Sequence, residues 1–336
     1  VTPKSKIKLI LLIAVPAVAF YISLFFGRYP IEPSMILKIL VSDITPFKPE
    51  IPVLEATIVN TVRLPRVILA MTVGAGMAIN GASFQGLFQN PLVSADILGV
   101  SAAASFGGAL IIFLGGDLSL LQVTAFCFGV LAVVLVYTMS RIYKTTPLLL
   151  IVLSGVVVAS FFSAMLSILI YFAPPDTKLQ PIMFWLMGSL GTTTWATLFP
   201  AVPLMIAGII GLILVRWRLN ILALGDKEAR ALGLRTERLK VFIITCATVI
   251  TAAAVTVCGV IGWVGIMIPH VTRMIVGPDH KVLLPASIAV GATYLLVMDD
   301  LARTLTAGEI PIGILTAIIG APFFMFILRK TKGGWK

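Results

Sequence analysis

The sequence predicts an all-α, polytopic membrane protein with ten transmembrane helices, and three observations predict it. The chain is 59% hydrophobic and 12% charged, with a mean hydropathy of +1.08, whereas a soluble domain carries about 25% charged residues. Its apolar residues fall in long continuous runs. Such runs suit helices crossing a hydrocarbon core of about 30 Å rather than the short alternating segments of a barrel. The basic residues are also unevenly divided between the two sets of connections that ten crossings create.

In chain order, Lys4, Lys6 and Lys8 precede a first span at 7–26. A proline-bearing stretch at 27–61 is too polar for lipid and reads as an extracytoplasmic loop. The second span, 63–84, carries Gly74, Gly76 and Gly81 with Asn80, Ser83 and Gln85. Small residues let helices approach closely, and amides need partners or water at that depth, so this span reads as a packing helix. A turn at Gln89-Asn90-Pro91 follows, then spans at 97–115, 118–140 and 147–172. The last of these, the fifth span of the chain, carries Ser154, Ser160, Ser163 and Ser167, which suits a pathway wall. The piece at 182–190 is too short to cross and is expected at the interface. Further spans lie at 195–215, 241–258, 259–276, 282–298 and 310–328. The eighth is short, with Pro269 near its end, and is expected to be broken or partly irregular.

Ten crossings put both termini on one side. Eighteen of the 25 Lys and Arg residues fall on that side and seven on the other. The excess marks the first side as cytoplasmic and accounts for most of the +11 net charge without a nucleic-acid partner. No cleavable leader is expected, because the first apolar run is long and lacks a small-residue cleavage site. Cys127, Cys246 and Cys258 sit in apolar runs and read as small buried hydrophobes. The two histidines, His270 and His280, are too few and too far apart for a metal site.

The stretch 216–240 is the most highly charged interruption in the second half of the chain. It reads as a short helix around 225–234. Asp226 is placed to cap it, Glu228 suits the positive end of the dipole, and Arg230 follows Asp226 at i+4. Gly233 is placed to end it, and Thr236 with Glu237 to cap the next element. About two helical turns are marginal alone in water, so a partner surface is expected.

The absences are informative. There is no G-x-x-x-x-G-K-[ST] phosphate loop, so the chain is not expected to hydrolyse ATP or to be an enzyme. Ionisable residues avoid the span centres, unlike an ion-coupled carrier, and there is no arginine ladder of a voltage sensor. A passive pathway moved by an external motor remains, alongside a receptor or a structural bundle.

Several blocks narrow these choices. They are Arg63-Leu-Pro-Arg66; Gly81-Ala-Ser-Phe-Gln-Gly86, Asn90-Pro91-Leu92 and Leu98-Gly-Val-Ser101; Leu219-Asn-Ile-Leu-Ala-Leu-Gly-Asp226 with Ala229-Arg-Ala-Leu-Gly233; Gly262-Trp-Val-Gly265; Pro269-His270; Gly277-Pro-Asp-His280; Asp300-Leu-Ala-Arg303; Glu309-Ile-Pro-Ile-Gly313; and Gly320-Ala-Pro-Phe323. In this order, from Arg63 to the C-terminus, the sequence resembles the permease subunits of binding-protein-dependent ABC importers for iron-siderophores, haem and vitamin B12. The first sixty residues match only as a generic span and loop.

The resemblance implies a single permease domain, 1–336, working as a homodimer in the inner (cytoplasmic) membrane. Each copy would meet a cytoplasmic ATPase, with ATP and Mg on that partner and no cofactor on this chain. An extracytoplasmic substrate-binding protein would dock opposite. The cargo implied is a metal chelate; an oxyanion such as molybdate or tungstate, or an ion-coupled carrier, is the alternative. ATPase coupling maps onto Gly225, Asp226, Glu228, Ala229, Arg230, Leu232 and Gly233. Binding-protein docking maps onto Arg63, Arg66 and Arg303, whose forked guanidinium groups suit carboxylates; snorkelling, or pairing of Arg303 with Asp299 or Asp300, is the competing reading. A gate maps onto Thr145 and Thr146, against capping ahead of Pro147.

Overall fold

A computed structural model describes residues 3–42, 51–141, 146–306 and 308–330. Among them there is no strand. The helices are α1 (Pro3–Ser23), α2 (Pro33–Ser42), α3 (Val53–Thr57), α4 (Leu64–Phe88), α5 (Val100–Leu114), α6 (Leu118–Ser140), α7 (Leu148–Phe172), α8 (Gln180–Leu186), α9 (Trp195–Leu222), α10 (Asp226–Ala231), α11 (Thr236–Cys258), α12 (Val264–Val276), α13 (His280–Thr304) and α14 (Ile312–Lys330). Six are long and apolar enough to cross a membrane, and α5, α12 and α14 are shorter apolar helices. The first of the six, which holds the second expected span, is longer than expected. A π-helical turn, Ile58–Arg63, joins α3 to α4 without a break, so one helical rod runs 36 residues from Val53 to Phe88. Part of the stretch read as extracytoplasmic loop is therefore helix.

This rod is the axis of the bundle. Almost every residue of α4 is buried, because α9, α12 and α13 surround it. Close approach is possible because the crossings are glycines. A Cβ on Gly74 would strike the carbonyl of Gly291 in α13, and one on Gly81 would strike that of Gly265 in α12. The amide nitrogens of α4 find partners inside protein, as the packing reading requires, while Asn80 Oδ1 is buried without one. Asn80 Nδ2 donates to Ala247 O at 3.0 Å and to Thr251 Oγ1 at 2.7 Å. Ser83 returns its hydroxyl to Ile79 O. Gln85 donates to Ile266 O and accepts from Arg273. By contrast α6 and α7 sit at the periphery, with much of their apolar surface exposed. Cys127 is exposed on α6, so it is not the buried hydrophobe expected; Cys258 is buried and Cys246 half-buried.

Two further segments differ in detail from their expected form. The eighth apolar segment is irregular at 259–263, where Trp263 adopts φ 69°, and not at Pro269, which the helix α12 accommodates. The short piece before α9 is the helix α8, and it is tied into the bundle. Ile182 is buried, the Trp185 ring lies on Gly108, and the backbone beyond it bonds Ser189 N to Cys258 O and Ile312 N to Gly188 O, both at 2.9 Å.

Contacts between helix termini define two ends of the bundle. One gathers the starts of α4 and α9 with the ends of α1 and α13, through Trp195 to Asn60, Arg66 to Asp299 and Arg303 to Ser23. The other gathers the ends of α4 and α9 with the starts of α7, α11 and α13, through Gln89 to Leu222, Asn220 to Asp279 and Thr146 to Glu237. These are called the Arg66 end and the Lys240 end.

The glycine crossings predict that Gly81→Leu lowers stability by about 1–3 kcal/mol through overpacking. Gly262→Ala should change it by less than about 0.5 kcal/mol, because nothing lies within 4 Å of a Cβ there. Thermal unfolding of both variants in detergent checks the contrast.

Candidate functional site

At the Lys240 end α9 stops at Leu222 and the chain turns through Gly225, at φ 122°, into α10. Gly233, at φ +83°, ends the turn in the left-handed region as expected. Ala229 is buried, while Lys227, Glu228, Arg230 and Leu232 are exposed. Leu224 and Leu232, each about two-thirds exposed, flank the helix as uncovered apolar side chains on a polar end.

The charges of this loop pair differently from the local expectation. Asp226 is the first residue of α10 and makes no cap; Gly225 holds the cap position. Its carboxylate instead meets Lys240 Nζ, across the loop on α11. Arg230 turns away from Asp226 toward α11, donating to Thr236 Oγ1 at 3.0 Å and Glu237 Oε1 at 3.2 Å. Thr236 accepts that bond and caps nothing. An i+4 pairing on α10 gains a few tenths of a kcal/mol; satisfying a buried ammonium outweighs it.

That ammonium organises the end. The Lys240 side chain is 1% exposed. Its three donors have Asp226, Glu237 Oε1 at 3.4 Å and the Thr146 carbonyl at 3.5 Å. Glu237 Oε2 in turn accepts from the Thr146 hydroxyl and from its amide at 3.1 Å. One cation therefore joins α10, the first turn of α11 and the residue entering α7. Thr146 is buried and held by α11 rather than capping α7, whose cap is Pro147; Thr145 lies outside the described residues. Lys240 was not singled out in the sequence. The signal for it is a lysine three residues after Glu237, at the threshold of an apolar run.

At the Arg66 end the three arginines read as docking residues are buried and engaged internally. Arg66 Nε lies 3.0 and 3.1 Å from the two Asp299 oxygens, and Nη1 lies 3.0 Å from Glu309 Oε1. Arg303 contacts Asp299 at 3.2 Å and pairs with Asp300. It also donates to Ser23 Oγ and Phe26 O. Arg63 takes the carbonyls of Leu24, Phe25 and Tyr29. It thereby caps the end of α1, where the helix dipole is negative and carbonyls lack helical partners. The pairing of Arg303 with Asp299 and Asp300 is the competing reading realised. Of the acids, Asp299 is fully buried and Glu309 is one-third exposed.

His270 is buried in α12 and His280 packs against Gly86 at the start of α13. Among the described residues no three His, Cys, Asp or Glu side chains converge as metal ligands.

The chain as a whole has counterparts among known proteins. The model of the FecCD transport family matches residues 12–330. The chain belongs to the FecCD transport family. This FecCD chain is 42% identical over 333 residues to the molybdate import system permease protein MolB of Haemophilus influenzae, covering 99% of this chain and 97% of that one. It is 40% identical over 283 residues to the cobalamin import system permease protein BtuC of Halobacterium salinarum, covering 84% and 76%. Its fold matches an inward-facing metal-chelate type ABC transporter with a TM-score of 0.87 and 39% identity, over 97% of this chain and 99% of the other. The FecCD chain is thus a multi-pass ABC permease.

The two ion-pair centres predict unequal costs. Arg66→Met leaves the fully buried Asp299 with Arg303 as its remaining ion partner and should destabilise by about 3 kcal/mol, the low end of the cost of breaking a buried pair. Lys240→Met leaves partners that still reach water, so its cost should be about 1–3 kcal/mol. Its second signature is faster amide exchange across 226–231, read by hydrogen–deuterium exchange. Equal protection there in wild type and variant would remove Lys240 as the anchor of α10.

Proposed function

We propose that this chain is the translocation subunit of an ABC importer, acting as a homodimer of ten-span subunits with both termini in the cytoplasm. The supporting observation is α10: a short helix displayed between two spans, fastened on its inner side by Ala229 and Asp226, with Leu224 and Leu232 uncovered beside it. A cytoplasmic ATPase, carrying ATP and Mg, is the partner proposed for that surface, through Gly225, Asp226, Glu228, Ala229, Arg230, Leu232 and Gly233. The chain itself has no phosphate loop.

The remaining assignments follow from this reading. The Lys240 end is cytoplasmic by its excess of Lys and Arg. The pathway runs between two copies, walled by α7, which exposes Ser160, Ser163 and Ser167. Thr145 and Thr146, at the entry to α7, form its cytoplasmic gate. A movement of α10 passes through Lys240 and Glu237 to Thr146, and so to that wall. An external binding protein docks at the Arg66 end. There a carboxylate of the docking protein would compete with Glu309 for Arg66, while Arg63 and Arg303 hold the end of α1 in place.

The cargo proposed is a metal chelate of the iron-siderophore, haem or corrinoid kind, supported by the cobalamin permease and the metal-chelate transporter that the chain resembles. Molybdate is the second reading, favoured by the 42% identity to MolB across nearly both full lengths.

Vesicles holding the permease with its ATPase should take up cargo only with ATP and the binding protein. Uptake that continues without the ATPase overturns the proposal. Arg230→Glu and Ala229→Pro should reduce uptake at least about ten-fold while ATP hydrolysis continues, because the helix that transmits the motion is disrupted. Titrating the binding protein with a ferric siderophore, haem, cobalamin and molybdate separates the two cargo readings.

A further inference from the structure

Two sets stand out among the basic residues at the Lys240 end. Lys240 and Arg230 are spent on Asp226 and Glu237. Arg218, Arg235 and Arg238 are exposed, and none of the described acids pairs with them. These three line one cavity of about 440 Å³ between the end of α9 and the start of α11. No Asp or Glu lines it. Its other walls are apolar, with Val215, Trp217 and Phe242 among them. Arg218 sits over the Trp217 ring, 5.2 Å from its centroid.

The surroundings identify the occupant. Both α9 and α11 are membrane-length apolar helices. The exposed chain neighbours of the lining Val215 and Phe242, Leu214 and Val241, are apolar as well, with Thr245 an exposed polar exception one turn along α11. The cavity therefore has a cationic mouth at the polar end and a floor continuous with the hydrocarbon-facing surface. An aromatic ring stands at the junction, where indole side chains favour the membrane interface. An acidic protein segment would answer the arginines and leave the apolar floor uncovered. Free phosphate would do the same. A molecule with a phosphodiester headgroup and acyl chains answers both parts, since guanidinium forks fit phosphate oxygens and apolar walls fit chains.

We propose that this groove is a specific binding site for an anionic phospholipid, its phosphate held by Arg218, Arg235 and Arg238 and its chains laid along Val215 and Phe242. The lipid bridges the residues on either side of α10 and braces the turn from which that helix projects. The site rests on the membrane orientation of α9 and α11, and stands whether or not an ATPase or any particular cargo is involved.

The test uses the purified full-length permease in detergent, titrated with phosphatidylglycerol, phosphatidylcholine or inorganic phosphate. Native mass spectrometry reads binding and thermal unfolding reads stabilisation. Phosphatidylglycerol should bind and raise the melting temperature, and the other two probes should not. Each arginine replaced by glutamine should weaken phosphatidylglycerol binding about five-fold, and the triple variant on the order of a hundred-fold. Should the triple variant not fold, Arg235→Gln and Arg238→Gln singly carry the same comparison. Unchanged affinity in the variants overturns the proposal, as does equal stabilisation by inorganic phosphate. Variants that keep phosphatidylglycerol but lose capture of the cognate ATPase would assign the groove to that partner and likewise overturn it.

Discussion

Enclosing α4 in protein on all sides is the constraint on which the rest of the structure depends. A helix in hydrocarbon must satisfy its polar groups internally. Here α4 brings Arg66, Asn80, Ser83 and Gln85 into the bundle, with Arg63 at its threshold, and each is met by another element or by its own backbone. Glycines at 74 and 81 allow neighbours to come close enough to meet them. The outer helices α6 and α7 are largely apolar, with Gln122 on α6 bonded to α9 and exposed serines on α7 among their polar exceptions.

Six of the spans were legible because length and hydropathy report them directly. The fourth, 118–140, coincides with α6, and the start of α9 at Trp195 was also read correctly. The extension of α4 back to Val53 was not legible, because a proline-bearing polar stretch carries the same signal whether it is coil or a helix lying on protein. The α10 helix was legible from its terminal glycine and acidic start. Its pairings were not. Asp226 reaches Lys240 and Arg230 reaches Glu237, fourteen and seven residues away, beyond any i+4 rule. Local spacing proposes partners on the same helix, and burial of Lys240 decides otherwise.

The same distinction runs through the arginines at the opposite end. Guanidinium groups against the charge bias signal that something acidic or carbonyl-rich must answer them. The sequence does not say whether the answer comes from this chain or from another. Arg66 and Arg303 find Asp299 across α13, while Arg63 finds only carbonyls. Three cations thus share a small volume with Asp299, Asp300 and Glu309, and only Glu309 retains appreciable access to water. Where a charge is buried with its partner, that partner is part of the fold. Where it keeps one foot in solvent, the pair can be exchanged.

The capping of α1 also has a bearing on biogenesis. Arg63 reaches the carbonyls at the end of α1 from 39 residues downstream, whereas Arg303 reaches them from 277 to 280 residues downstream. During synthesis the first grip can close as soon as α4 is inserted. The second must wait until nearly the whole chain has left the ribosome. The first helix therefore spends most of translation with only a partial seal at its end. Arrival of α13, with its own acids already paired beside Arg303, completes it and closes the bundle from first helix to last but one.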